Sequence, residues 1–155
     1  MRKYSVSALI VCLVLFLAVT AYAYERCMMC GMNAGNSETK FTVEVTEGGK
    51  DLTAGTYSFC CLNCLVLFKT RMRTGKIGSV LARDYDTVTG QYDSGQMIDA
   101  KTAFYIVESE LRPKGSMPPM MSIFSAQKKA EISKKVYGGR ILNWEEVREY
   151  TERWQ

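Results

Sequence analysis

The stretch Tyr57–Met72, with the sequence YSFCCLNCLVLFKTRM, changes from the pattern of a strand to that of a helix and carries three cysteines at the change. A strand should end near Phe59, and from Cys61 onward apolar residues recur every three or four positions, as on a helix. Gly75 should end this helix. The stretch therefore predicts a strand that leads into a helix, with the cluster Cys60-Cys61-Leu62-Asn63-Cys64 at the junction.

The segments on either side of this junction predict an α+β chain. Before it, Phe41–Thr46 alternates apolar and polar residues as a half-buried strand does, and Glu47–Lys50 forms a turn. In the second half, Ala103–Val107 predicts a strand, with Met97–Ala100 as its continuation or partner. We therefore expect an α+β fold in which each half has strands, a helix and a further strand.

The end of the chain predicts two helices separated by a short strand. Ser122–Tyr137 has helical spacing, and Ile141-Leu142 follows it as a strand. Asn143 and Glu146 have the spacing of a capping box, which opens a final helix. The residues expected to face the core from the longer helix are Phe124, Ala130 and Val136.

The first 23 residues resemble a signal peptide. Arg2 and Lys3 precede the apolar stretch Ala8–Val19, and Ala21-Tyr22-Ala23 has the small-residue pattern of a cleavage site. The apolar run is shorter than the roughly 20 residues of a membrane span. We expect cleavage after Ala23, secretion across the cytoplasmic membrane and a periplasmic protein.

The mature chain predicts two parts, an N-terminal cysteine-rich α+β unit at 24–84 and a C-terminal α+β unit at 85–155. The polar, glycine-bearing stretch Asp84–Gly95 is interpreted as their connection. Loss of the signal peptide lowers the net charge from +4 to +2, because it removes two basic residues. Nucleic acid is not an expected partner, since no basic run alternates with aromatic residues.

Sulfur dominates the groups that could carry chemistry. Five cysteines and eight methionines follow the signal peptide, and the chain has no histidine. Thiolate and thioether sulfur favour Cu(I) or zinc, whereas the absence of imidazole removes the usual ligand of Cu(II), haem and catalytic zinc sites. No histidine base and no glycine-rich phosphate loop are present, so we expect a metal carrier and not an enzyme.

Two C-x-x-C knuckles are the main metal signal. One is Cys27–Cys30 and the other is Cys61–Cys64, which share a face if the helix begins at Cys61. An odd number of cysteines does not suit a closed disulfide framework. The candidate ligands are Cys27, Cys30, Met32, Cys61, Cys64, Met117 and Met120, with Cys60 and Met121 ranked below them.

The methionines at 117–121 lie beside two prolines, which forbid a regular helix there. Such a loop suits weak and replaceable ligands, although methionine also fills irregular core space. For Met32 and each loop methionine, both interpretations stay open.

The chain also resembles the NosL family of accessory proteins of nitrous oxide reductase. The resemblance lies in Cys27-x-x-Cys30-Gly31-Met32, in Ile98–Val107, in the loop Met117–Met121, called the Met-Pro loop below, and in Gly138–Trp144, in that order. It implies two small strand-strand-helix-strand units. It also implies extracytoplasmic Cu(I) delivery to a client protein such as nitrous oxide reductase or its assembly machinery, and the Cys60–Cys64 cluster leaves a different client open. Family members are commonly lipid-anchored, whereas Tyr24–Cys27 is not a lipid-attachment signal, which leaves membrane attachment open.

Two other functions compete with copper carriage. Zinc held by Cys27, Cys30, Cys61 and Cys64 would staple a small interaction domain, and the Cys60–Cys64 cluster resembles a zinc-ribbon-like heavy-metal motif. Thiol-disulfide exchange is the third, because C-x-x-C is also a redox motif.

Overall fold

The computed structural model describes residues 25–50, 52–71, 75–86 and 91–154. The predicted signal peptide at 1–23 lies outside the described residues and stays a prediction. Within the described ranges, none of the helices has the length and apolar character needed to cross a membrane.

The described residues form seven strands and three helices in two antiparallel sheets. The elements are β1 (Phe41–Glu47), β2 (Gly55–Phe59), α1 (Leu62–Arg71), β3 (Lys76–Asp86), β4 (Gln91–Asp99), β5 (Phe104–Val107), β6 (Met121–Phe124), α2 (Gln127–Tyr137), β7 (Arg140–Leu142) and α3 (Trp144–Glu152). The sheet orders are β2-β1-β3-β4 and β6-β5-β7. This arrangement confirms the predicted α+β class.

Both halves repeat one topology. In each, the first strand lies in the middle of its sheet, between the strand that follows it and the strand that comes after the helix. Thus β1 pairs with β2 and β3, and β5 pairs with β6 and β7, always antiparallel. The strand-strand-helix-strand unit therefore occurs twice, as expected, with β4 added to the first sheet and α3 added after the second.

The core is continuous between the two units. The alternation of β1 points Phe41, Val43 and Val45 inward, and all three are buried. Helix α1 covers this sheet, and the ring of its Phe68 lies 5.0 Å from that of Phe59 at the end of β2. The same buried cluster extends into the second unit, where Tyr105 and other residues of β5, β6 and α3 belong to it. The units therefore share the apolar contacts that stabilise each of them.

Most of the stretch Asp84–Gly95, which was predicted to be a connection, lies in two paired strands. Strand β3 continues through Asp86, and β4 begins at Gln91 and pairs back onto it. Strand β4 is the edge of the first sheet. The boundary predicted after residue 84 thus falls within β3. The division of the mature chain into units at 24–84 and 85–155 stays a prediction.

The helix predicted at Ser122–Tyr137 begins only at Gln127. Met121–Phe124 is strand β6, whose four residues are all buried because it supplies the antiparallel partner of β5. Ala130 and Phe124 are in the core as expected, but Val136 is exposed. A short apolar run does not distinguish a buried strand from a helical turn by spacing alone.

The final helix confirms its predicted start. Asn143 accepts a hydrogen bond from the Glu146 backbone N–H at 3.0 Å, and the Glu146 carboxylate accepts from the Asn143 N–H at 2.8 Å. This reciprocal pair is a capping box, which satisfies two backbone donors at the helix start.

Asp84 joins the two units through a buried carboxylate. Its side chain is 2% exposed and accepts hydrogen bonds from the backbone N–H of Ser125 at 2.8 Å and from the Ser125 hydroxyl at 2.6 Å. The Lys129 ammonium, on α2, is 3.1 Å from the same carboxylate. A buried carboxylate requires such partners. Strand β3 and the start of α2 are therefore fixed to each other.

Replacement of Asp84 by Ala should lower the free energy of unfolding by about 2–3 kcal/mol, because the two donors of Ser125 and the Lys129 ammonium lose a buried, charged acceptor. Urea unfolding at neutral pH measures this change. The matched control is Glu47→Ala, which breaks the exposed Lys76–Glu47 pair and should cost less than about 1 kcal/mol. Equal effects of the two substitutions would contradict a role for Asp84 in joining the units.

Candidate metal centre

The first knuckle is a tight turn from Cys27 to Met32. The Gly31 N–H donates to the Cys27 carbonyl at 2.9 Å, and the Cys27 N–H donates to the Met32 carbonyl at 2.7 Å. Gly31 has a φ of +74°, which a residue with a side chain adopts only with strain. The backbone N–H of Cys30 donates to the Cys27 sulfur. The turn therefore holds Cys27 and Cys30 on one side of the loop.

Backbone and side-chain contacts attach this knuckle to the end of β2. The Met28 N–H donates to the Ser58 carbonyl at 2.9 Å. Glu25 accepts from the Ser58 hydroxyl at 2.5 Å and pairs with Lys40 at 2.7 Å. The N-terminal knuckle is thus brought beside the chain reversal that follows Phe59.

The second cluster lies at that reversal. Cys60 directly follows β2, Cys61 precedes α1, and Cys64 is in the first turn of α1. The carbonyl of Cys60 accepts hydrogen bonds from Ser37 Oγ at 2.5 Å and from Thr39 Oγ1 at 2.9 Å. Both hydroxyl residues are buried. They fix the backbone of Cys60 and with it the direction of its sulfur.

Four sulfur atoms, from Cys27, Cys30, Cys60 and Cys64, all lie within 4.8 Å of one another. The Cys60 sulfur is 3.5 Å from that of Cys30 and 3.6 Å from that of Cys64. A tetrahedral ion with sulfur ligands at about 2.3 Å separates those sulfurs by about 3.8 Å, so the group has the size of a four-thiolate cage. Cys30 is its exposed member.

Cys61 is a fifth thiol, at the side of the cage. Its sulfur is 3.8 Å from that of Cys60 and contacts that of Cys64. The sequence placed Cys61 above Cys60 as a ligand, whereas the four-thiol group contains Cys60. The ranking assumed that Cys61 and Cys64 lie on one helix face, but Cys61 precedes the helix, and the reversal directs Cys60 toward the first knuckle.

Hydrogen bonds among the thiols lower the pKa of some of them and raise the pKa of others. The thiols of Cys60 and Cys64 and two backbone N–H groups donate to Cys61, which lowers the pKa of Cys61 to about 3 although burial opposes the change. Donation by Cys60 and then by Cys64 likewise lowers the pKa of Cys27, and its burial opposes it. The same contacts with Cys27 and Cys61, together with burial, raise the pKa of Cys64. Binding of a cation by these sulfurs would displace the remaining thiol protons.

The Met-Pro loop of the second unit covers the first turn of α1. The Met117 backbone N–H donates to the Cys61 sulfur, and Asn63 Nδ2 donates to the Pro118 carbonyl at 3.1 Å. The Glu38 N–H donates to the Lys114 carbonyl at 3.0 Å, which fastens the start of the loop to the segment before β1. The loop thus meets the second cysteine cluster, and Met117 is partly buried against the shared core.

The other candidate methionines lie in different surroundings. Met32 is 42% exposed beside the first knuckle, and Met120 lines a surface pocket of about 350 Å³ with Tyr150 and Trp154. Met121 is buried in β6. Metal binding by any of these thioethers stays a prediction.

Three residues that support the site were not predicted. Ser37, Thr39 and Glu25 act through hydrogen bonds to residues that are 21–33 positions distant with no fixed spacing, so the sequence pattern could not identify them. Their buried or paired state appears only when β1 and β2 are placed side by side.

The comparison with protein families identifies the chain. A model of the family described as NosL matches residues 18–151. The chain belongs to the NosL family. It is also 36% identical over 55 residues to the copper-binding lipoprotein NosL of Stutzerimonas stutzeri, a match that covers 36% of this chain and 28% of that relative. The match thus spans less than a third of the relative's length.

A solved structure shares the fold. The crystal structure of the copper chaperone NosL from Shewanella denitrificans superposes with a TM-score of 0.62, over 82% of this chain and 94% of that chain. Its sequence is 20% identical, so the likeness shows the NosL fold and the order of its elements.

The cage geometry predicts that one thiol of the reduced, metal-free mature protein reacts much faster than the others. Cys30 is exposed and the other four described cysteines are buried, so Ellman's reagent should modify one thiol quickly and the rest slowly. Denaturant should bring all of them to the fast rate. The variant Cys30→Ser should lose the fast phase, whereas Cys61→Ser should keep it. A fast phase that survives in Cys30→Ser would contradict the arrangement.

Proposed function

We propose that this protein carries Cu(I) outside the cytoplasm and passes it to a client protein. The observation that supports this most is that five thiols, from the first knuckle and from the cluster Cys60–Cys64, meet in a chain of the NosL family. Thiolate sulfur is a soft ligand that selects Cu(I) over oxygen-preferring ions. The names of both relatives describe copper binding or copper chaperoning, which suits a carrier and not an enzyme.

The site offers a route for transfer by ligand exchange. Cys30 is the exposed edge of the cage, so it is the sulfur that a client ligand would replace first. Cu(I) accepts low coordination numbers, and an ion held by the remaining sulfurs could pass to the client without release as a free ion. Met32 is exposed beside this edge, and Met117 lies on the side of Cys61. They are the proposed weak, replaceable ligands.

The client is proposed from family membership alone. A copper enzyme such as nitrous oxide reductase, or its assembly machinery, suits the resemblance found in the sequence. We place the protein in the periplasm in this proposal because a signal peptide is predicted and because its relative is a lipoprotein, which is an exported protein.

A structural zinc site is the second candidate function. Four sulfurs that lie within 4.8 Å of one another, three of them from buried cysteines, also suit zinc in a closed site. Such an ion would stabilise the fold and would not be passed on. The ligands of such a site would be Cys27, Cys30, Cys60 and Cys64. The sequence predicts Cys61 in the place of Cys60.

Competition between the two metals separates these functions. The reduced mature protein should take Cu(I) from a chelator anaerobically and keep it when zinc is added in excess, because thiolates prefer Cu(I). Serine at both Cys27 and Cys60 should weaken Cu(I) binding by at least about tenfold, or 1.4 kcal/mol, through loss of two thiolates.

Met28→Leu is the control, because Met28 is exposed and lies within the knuckle without a proposed role. The metal-free protein should keep its circular dichroism spectrum. If zinc displaces copper and its removal unfolds the chain, the protein is a zinc-stapled module. If no metal binds and the protein reduces insulin disulfides quickly, thiol-disulfide exchange replaces both proposals.

Replacement of the proposed exchange ligands should slow transfer more than it weakens binding. Met32→Leu and Met117→Leu remove thioethers but conserve volume, which usually costs less than about 1.5 kcal/mol of stability. Stopped-flow transfer of Cu(I) to a chromophoric chelator should slow several-fold in either variant, whereas Met28→Leu should transfer at the original rate. Equal rates in all three variants would remove methionine from the mechanism.

A further inference from the structure

The five thiols form two overlapping groups and not one group with a spare member. Cys60 and Cys64, whose sulfurs are 3.6 Å apart, contact each other and also both Cys27 and Cys61. Cys30 lies 3.5 Å from Cys60 and completes the four-thiol cage with Cys27. Cys61, at 3.8 Å from Cys60, forms a triangle with the shared pair. One edge, Cys60–Cys64, therefore belongs to both groups.

Resting on the proposed function, we infer that the cluster binds two Cu(I) ions, with the sulfurs of Cys60 and Cys64 bridging them. The first ion takes Cys27, Cys30, Cys60 and Cys64. The second takes Cys60, Cys61 and Cys64. Both stay Cu(I), so binding involves no electron transfer, and the protons of the bound thiols leave to solvent.

The separations suit shared ligands. Three sulfurs at about 2.3 Å from an ion in their plane are about 4.0 Å apart, which is close to the contacts that Cys60 makes with Cys61 and Cys64. A thiolate has several lone pairs and can bind two soft ions at once. Two separate three-coordinate sites would need six sulfurs, and the cluster has five, so three sulfurs around each ion require sharing.

Burial favours the second ion. Four of the five thiols are buried, and a buried cluster of thiolates with a single monovalent ion keeps a large negative charge in a poorly hydrated place. Once the five thiols have lost their protons, the second Cu(I) lowers the negative charge of the cluster by one. Two N–H groups, from Cys64 and Met117, already donate to the Cys61 sulfur, so the thiolate of the second group has support before metal arrives.

The structure also separates the accessibility of the two positions. Cys30, the exposed thiol, belongs only to the first group, and Cys61 lies under the Met-Pro loop. We therefore assign the faster exchange with the client to the first ion and the slower exchange, on the side of Met117, to the second.

A cysteine variant and a matched control test the second position. Cys61→Ser leaves only the bridging pair for the second ion, whereas Met28→Leu keeps all five thiols. After anaerobic loading with Cu(I) and desalting, elemental analysis should give two copper ions per chain for the wild type and for Met28→Leu, and one for Cys61→Ser.

A measurement on the wild type tests the inference even if the variants do not fold. X-ray absorption of the loaded wild type should show a copper–copper scattering path, which a mononuclear site lacks, and gel filtration should show a monomer. One copper per chain without this path would overturn the inference but leave the carrier proposal standing. No copper at all would overturn the carrier proposal itself. Copper shared between two chains, seen as a metal-dependent dimer, would also overturn the inference.

Discussion

The reversal of the chain at Cys60-Cys61 is the constraint on which the site depends. There the strand β2 ends and α1 begins, and the Cys60 sulfur meets that of Cys30 at 3.5 Å on one side and that of Cys61 at 3.8 Å on the other. The carbonyl of Cys60 would be an unpaired polar group inside the protein without the hydroxyls of Ser37 and Thr39. These hydroxyls come from the segment before β1. The sulfurs therefore take their positions only when β1 pairs with β2.

The position of the first knuckle depends on the same strand pairing. Met28 bonds to the backbone of Ser58, and Glu25 bonds to its side chain, so the turn at Cys27–Met32 has a fixed position only when β2 is formed. The shared core and the carboxylate of Asp84 then bring the second unit against the first, and the Met-Pro loop comes with it. A site for soft metals thus forms from segments that are distant in sequence.

Much of the fold could be predicted because its signals are local. Alternation identified β1, the end of β2 and β5, and the capping box at Asn143 identified α3. The errors have one physical cause. At Asp84–Gly95 and at Met121–Phe124, the state of the backbone is decided by a partner strand, and polar or short apolar segments carry no periodicity of their own that shows it.

The sequence by itself determined the chemistry: sulfur ligands without histidine, two cysteine knuckles, and the order of motifs that the NosL family shares. These are properties of residue identity and local spacing, which persist in any conformation. Only the tertiary structure decided which thiols meet. Cys60 and not Cys61 completes the four-thiol group, because strand pairing and the reversal before α1 set the direction of each sulfur, and no spacing rule contains that information.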